Sequence, residues 1–390
     1  MKKIIALTSL LLGCLHFVSA QNKATPVFIS GTDGYKSFRI PAIISLKNGS
    51  LLAFAEGRVN GSGDFGDVNI VMKRSSDKGK TWSATQTIVD FNALQAGNPA
   101  PVVDMADPAY PNGRIFLFYN TGNNHEGEVR KGKGLREVWY ITSVDGGATW
   151  SNSVNITTQV HRPKQFQINS AYNFPDDWRS YANTPGHAIQ LNKGINKGRM
   201  YVIGNHSAGN PQERFTDYDV HGFYTDDHGK TFHLSENLAV PGSNEVMAAE
   251  LSDGKLMINA RNQKGDIRCR IVAVSKSGGQ KWDTVYYDHR LADPVCQGSI
   301  LSVQLKKDKY ILLVCNDNDE NRRDNLTLRV SIDDGKNWMK EFVIDKSAES
   351  YKGDFTAYSD LVQLNKNEIG VLYEFDGYKQ IVFKIVNISR

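Results

Sequence analysis

The chain of 390 residues predicts an all-β fold, a six-bladed β-propeller with four-stranded antiparallel blades. Three observations lead there: a turn motif that recurs five times, short apolar runs separated by Gly, Asn and Asp turns, and no sustained period of 3.6 residues. The motif reads SSDKGKTW from Ser75 and SVDGGATW from Ser143. It returns in looser form as TDDHGKTF from Thr225, SKSGGQKW from Ser275 and SIDDGKNW from Ser331. Starts lie 50 to 82 residues apart. At about 60 residues per blade, loops included, six blades fit better than seven or eight.

At the N-terminus, Lys2 and Lys3 precede an apolar run from Ile4 to Val18 and a small-residue end at Val18-Ser19-Ala20. This reads as a secretory signal over residues 1–20, leaving 21–390 as one domain, periplasmic or secreted. Cys14 follows Leu11-Leu12-Gly13, the kind of place where a bacterial lipid anchor attaches, although Leu12 is large for its position. The apolar run is too short to span a bilayer, and no later segment is apolar enough.

Formal charge is +4, and +2 once Lys2 and Lys3 are gone, with no basic block, which argues against nucleic acid as a partner. Cys269, Cys296 and Cys315 each sit in a strand-like run, so buried thiols or at most one bridge are expected.

In each motif copy the Asp accepts from backbone N–H groups, the Gly supplies positive φ and the Trp packs under the turn. Asp77, Asp145, Asp227 and Asp333 are therefore turn residues. In the fourth copy Ser277 replaces Asp, which a turn survives and a catalytic acid would not. Strands are expected at Ser50 to Ala55, Val68 to Arg74, Arg114 to Asn120, Met200 to Gly204, Lys255 to Asn259, Tyr310 to Cys315, Leu326 to Ser331 and Ile369 to Glu374. The longest gap between repeats, the second, predicts a surface excursion between His161 and Tyr181, over a binding face.

One charge breaks the pattern. Arg39 sits between Phe38 and Ile40 in an otherwise apolar run, and a guanidinium placed there needs an anion beside it, from the fold or from a ligand.

This FRIP stretch, combined with the repeated Asp boxes, resembles the bacterial and animal exo-sialidases (neuraminidases), and the likeness runs from Phe38 to Glu374. The resemblance implies a retaining glycoside hydrolase that removes terminal α-linked sialic acid from glycoproteins, glycolipids and oligosaccharides. It implies an arginine triad for the sugar carboxylate at Arg39, Arg261 and Arg323, with Arg322 the alternative to the last. Permanent charge and paired planar donors suit a carboxylate.

By the same likeness Tyr358 in FTAYSDL is the nucleophile, Glu245 its base with Glu250 as rival, and Asp64 the acid and base, with Asp67 as rival. A phenol avoids the repulsion that a carboxylate nucleophile would meet from the substrate's own carboxylate, and sialidases are exceptions to the two-carboxylate rule. Arg58 and Asp104 are expected near the carboxylate and O4 of the sugar, and Glu374 beside Arg39. Trp139 and Trp178 are candidates for the N-acetyl pocket.

No metal or cofactor is called for, and a monomer acting on sialylated glycoconjugates is expected. Two other readings share these residues: a trans-sialidase or intramolecular trans-sialidase, and a sialic-acid-binding propeller without catalysis. The sequon Asn325-Leu326-Thr327 lies two residues from Arg323, where a glycan would crowd the pocket, which favours a bacterial exported protein.

Overall fold

The computed structural model describes residues 23–307 and 309–389, so the expected signal sequence and Cys14 lie outside the described residues. Each of the eight runs expected as strands forms one. The run at Ser50 to Ala55 extends as Leu51–Arg58, that at Met200 to Gly204 as Met200–Ala208, and that at Tyr310 to Cys315 as Lys309–Asp317. β-Branched and aromatic residues in these runs pack well on a pleated surface, so local preference and tertiary burial agree.

The fold is all-β and propeller-like. Three sheets have four antiparallel strands each, and one of them joins Thr25–Ile29 to Gln380–Asn387, so both ends of the described chain share a sheet. Six separate four-stranded sheets, as the sequence predicts, are not what the hydrogen bonding gives: the described residues form five. Val68 and Gln95 make one parallel bridge, merging the strands between Ser37 and Val89 with those between Gln95 and Asn155 into a sheet of eight. The short strand Ile189–Gln190 pairs with Met200–Ala208 and gives another sheet a fifth member.

Innermost strands pack side by side around a central axis. Ser37–Ser45 touches Gln95–Asp104 on one side and Thr356–Gln363 on the other, and Ser299–Lys306 lies between Ser243–Glu250 and Thr356–Gln363. The first residues of these strands surround one mouth of the axis and the last residues surround the other. Five inner strands shift register near the first mouth: between Arg39 and Ala42, Gly97 and Ala100, Trp178 and Tyr181, Ser243 and Val246, and Thr356 and Ser359. Bulges bend a strand and re-aim its side chains, so this end of the axis is shaped by irregular backbone.

The repeated turns lie at the opposite end. Ser75 Oγ donates to Asp77 Oδ1 (2.8 Å), whose carboxylate accepts from the N–H groups of Lys80 and Thr81 and from the Thr81 hydroxyl. Ser277 accepts from Lys281 N at 3.1 Å, so the serine copy closes its turn too. Gly79 has φ +84°, and a Cβ there would lie 2.2 Å from Phe383, so strain and space both exclude a side chain. The motif's aromatic residue reaches beyond its own turn. Trp82 meets Phe383 of the neighbouring sheet edge-on at 5.6 Å, and Trp150 meets Phe54 at 6.2 Å across the two halves of the eight-stranded sheet.

All three described cysteines are free and buried. Two short helices, Glu126–Arg130 and Thr157–Val160, interrupt the strands. The excursion after His161 holds a short 3-10 turn at Ser170–Tyr172 and a bridge between Lys164 and Asn173 before the strand Trp178–Asn183 begins, and of the residues to Tyr181 only Ser180 and Tyr181, both on that strand, border the central cavity.

His161, His206 and His221 are buried together, with His206 Nδ1 3.0 Å from His221 Nδ1. Burial pulls all three below the ordinary imidazole value, His221 to about 3. A folded-state value below the unfolded one means that the unfolded chain holds the extra proton, so stability falls as pH drops from about 6.5 toward 3. His221→Gln removes one such group. Between pH 6 and 4 the urea-derived stability of the wild type should fall relative to this variant by about 1.4 kcal/mol per pH unit. Parallel curves would contradict it.

Candidate active site

The strand Ser37–Ser45 places Arg39 just before its bulge. Ile40 adopts φ +59°, a left-handed conformation that is strained for a β-branched residue, and Pro41 has no N–H to lose. Glu374, at the end of the strand pair that closes the fold, accounts for the strain. Its carboxylate accepts from Ile40 N (3.0 Å), from Arg39 Nε (2.6 Å) and Nη2 (3.2 Å), and from Tyr358 N (3.3 Å). Burial alone would lower the pKa of Arg39, but the charge and hydrogen bonds of Glu374 outweigh it and hold it above the ordinary value.

Tyr358 lies within the bulge of Thr356–Gln363 and lines the cavity on the axis. Its hydroxyl donates to Glu245 Oε1 (2.5 Å) and accepts from Arg261 Nη1 (3.1 Å), which also donates to Glu245 Oε2 (2.7 Å). Burial, then the charge of Glu245, push the phenol well above its usual value against the pull of Arg261 and Arg323. It is therefore a neutral phenol hydrogen-bonded to the Glu245 carboxyl group. Arg39 and Arg323 lie over the Tyr358 ring at 5.3 and 5.6 Å from its centre. Arg323 Nη1 donates to Tyr378 Oη (3.0 Å), and among the described residues it has no carboxylate in ion-pair contact. Three guanidiniums around one phenol, the third without a carboxylate, leave room for one bound anion.

A cavity of about 310 Å³ opens above this group. Arg58, fully buried, holds Glu56 (Nη2 to Oε2, 2.6 Å) and Asp64 (Nη1 to Oδ1, 2.8 Å), while the Asp64 side chain is 77 % exposed on its Gly-rich loop. The site thus sets a carboxyl at the solvent-facing rim beside a buried neutral phenol and a cluster of guanidiniums.

Residues 49–371 match the family model described as a BNR repeat-like domain. The chain belongs to the BNR-repeat sialidases. It is 31 % identical over 367 residues to a sialidase of Micromonospora viridifaciens, covering 89 % of this chain and 51 % of that one. The chain thus spans about half the length of that relative. Among solved structures, a Hadza microbial sialidase superposes with a TM-score of 0.76 at 24 % identity, over 94 % of this chain and 68 % of that one. A leech intramolecular trans-sialidase, solved with 2,7-anhydro-Neu5Ac, superposes at 0.72 with 17 % identity, over 95 % of this chain and 71 % of that one. Both share the fold of this family member. Sialidases are glycoside hydrolases.

Arg39, Arg58, Asp64, Glu245, Arg261, Arg323 and Tyr358 all line the family member's cavity, and Glu374 supports it from beneath. Asp104 does not. It ends the strand Gln95–Asp104 at the opposite mouth, where it accepts from Gln190 Nε2 (2.6 Å) and contacts His228 Nδ1 (2.8 Å). Six residues of extended chain separate it from Asn98, which does line the cavity, a span of about 20 Å.

The rivals also lie elsewhere. Arg322 pairs with Asp324, Glu250 accepts from the N–H groups of Asn192 and Lys193, and Asp67 borders a separate small recess. Trp139 donates to Thr121 and packs on the core between the halves of the eight-stranded sheet, and Trp178 stacks on His206, so neither reaches the cavity. Sequence reasoning missed Glu56, Gln95, Asn98, Glu126 and Arg136, which line it. Only the bulge-prone Asn98-Pro99 carried a local signal.

Proposed function

We propose that this protein is an exo-α-sialidase that hydrolyses terminal α-linked sialic acids of glycoproteins, glycolipids and oligosaccharides with retention at the anomeric carbon. The observation that carries the reading is the Tyr358 hydroxyl hydrogen-bonded to Glu245 inside the ring of Arg39, Arg261 and Arg323. The sugar carboxylate sits between the arginines, where charge-assisted paired hydrogen bonds orient C2 over the phenol.

Glu245 takes the phenolic proton as Tyr358 Oη bonds to C2, and Asp64 protonates the departing glycosidic oxygen as the C2–O bond breaks. A water then displaces Tyr358: Asp64 accepts the water's proton, and Glu245 returns the phenol's. Two inversions at C2 give net retention. Arg58 orients Asp64 and reaches toward O4 of the sugar.

The six-blade count belongs to this proposal too. Each half of the eight-stranded sheet holds four strands, and a single bridge joins the halves. Export through the N-terminal segment, and monomeric action on glycoconjugates, complete it.

Proton NMR of a cleaved sialoside tests the reading: the α-anomer should be the first sugar released, before mutarotation. The β-anomer first would rule out retention, sialyllactose formed in excess lactose would mark a transferase, and binding without turnover would mark a lectin.

A further inference from the structure

Arg136 opens the strand Arg136–Ser143 and is 6 % exposed. Its Nη1 donates to Gln95 Oε1, its Nε is buried without a partner, and among the described residues it makes no ion pair. The guanidinium lies against Gly122, where a Cβ would fall 2.4 Å from Nη1, and it faces the cavity. The nearest acids are committed elsewhere. Glu126 accepts from Tyr218 Oη and from Ser180 Oγ (3.3 Å), and Glu56 from Arg58 and Asn98 N. A buried cation without a carboxylate is costly unless an acceptor that enters the cavity meets it.

These residues lie across the axis from the arginine cluster. Gln95 and Ser180 come from the second and third inner strands and Arg136 from the third strand outward behind Gln95, whereas Arg323 and Tyr358 come from the last two sheets. On the sialidase reading, on which this inference rests, the sugar carboxylate lies between Arg39, Arg261 and Arg323 with C2 over Tyr358. C5 stands opposite C2 in a pyranose ring. Its substituent therefore faces Arg136.

We infer that Arg136, with Gln95 and Glu126, is a specificity-determining group that selects a nonulosonic acid bearing a hydroxyl at C5 over one bearing an acetamido group. A hydroxyl accepts from the cavity-facing end of the Arg136 guanidinium and donates to Glu126 or Gln95. The carbonyl and N–H of an acetamido group can meet the same partners, but its longer reach sets a methyl among Arg136, Glu56 and Glu126, where it strips water from charged groups and returns no hydrogen bond of its own. Sites built to hydrogen-bond a hydroxyl discriminate strongly against analogues that leave their polar groups unpaired.

Two methylumbelliferyl glycosides that differ only at C5 test this. The wild type should show kcat/KM about 10-fold or more higher for the C5-hydroxyl substrate, and Arg136→Met should erase most of that ratio, chiefly through KM, with Arg136→Lys in between. A wild-type preference for the acetamido substrate, or a ratio unchanged in Arg136→Met, overturns the inference. If Arg136→Met fails to fold, calorimetric affinities of the wild type for the two 2,3-didehydro acids decide, and tighter or equal binding of the acetamido form overturns it. Failure to cleave either glycoside counts against the hydrolase reading, while the same binding comparison still judges Arg136.

Discussion

Tyr358→Phe is expected to lower kcat for a fluorogenic sialoside by about 10³-fold or more, while affinity for a non-hydrolysable sialic acid analogue stays within a few-fold. The substitution deletes one oxygen, which accepts from Arg261 and donates to Glu245. The ring remains beneath Arg39 and Arg323, so the anion clamp keeps its aromatic floor. Glu245 retains Arg261 as a partner and is not stranded. Thermal denaturation should show little change. Loss of binding along with turnover would mean that the tyrosine holds the site together and does not react in it.

Glu374→Ala acts in the opposite way, through stability first. It leaves Arg39, whose side chain is 11 % exposed, without its anion, and it removes the acceptor for the N–H groups of Ile40 and Tyr358. Removing one partner of a buried pair costs about 3 to 5 kcal/mol, and contact of Arg39 with the cavity places this case near 3. The left-handed Ile40 loses the acceptor that holds it, so the cavity wall should loosen and sialic acid affinity should fall. Urea denaturation measures the first effect and calorimetry the second. Arg39→Met combined with Glu374→Leu should recover much of the stability and none of the affinity, because an apolar pair satisfies packing but cannot clamp a carboxylate. A stability change under about 0.5 kcal/mol for Glu374→Ala would show that the pair does not support the fold.

What the sequence revealed and what it hid differ in range. The repeated turns were legible because each closes within eight residues: Ser75, Asp77 and Thr81 bond one another, and the same contacts recur from Ser143 and Ser331. The merging of two sheets through Val68 and Gln95 was not, since one bridge between residues of unremarkable type leaves no pattern. Arg39 announced itself as a charge in an apolar run, and the family likeness supplied its partners.

Asp104 misled because the family likeness says nothing about which end of its strand it occupies. Ten residues of strand carry the chain from one mouth to the other. Arg136 and Glu126 sit on a strand opening and on a helix of five residues, with no motif around them, so only their convergence on the cavity marks them.

The most direct test of the account is mass spectrometry of the wild-type protein after incubation with a 2,3-difluorosialic acid, whose fluorine at C3 slows breakdown of a glycosyl intermediate. The account predicts a one-to-one adduct that maps by peptide fragmentation to Tyr358 and is absent from Tyr358→Phe. An adduct on Glu245, Asp64 or any other side chain, or inactivation that persists in Tyr358→Phe, would contradict it.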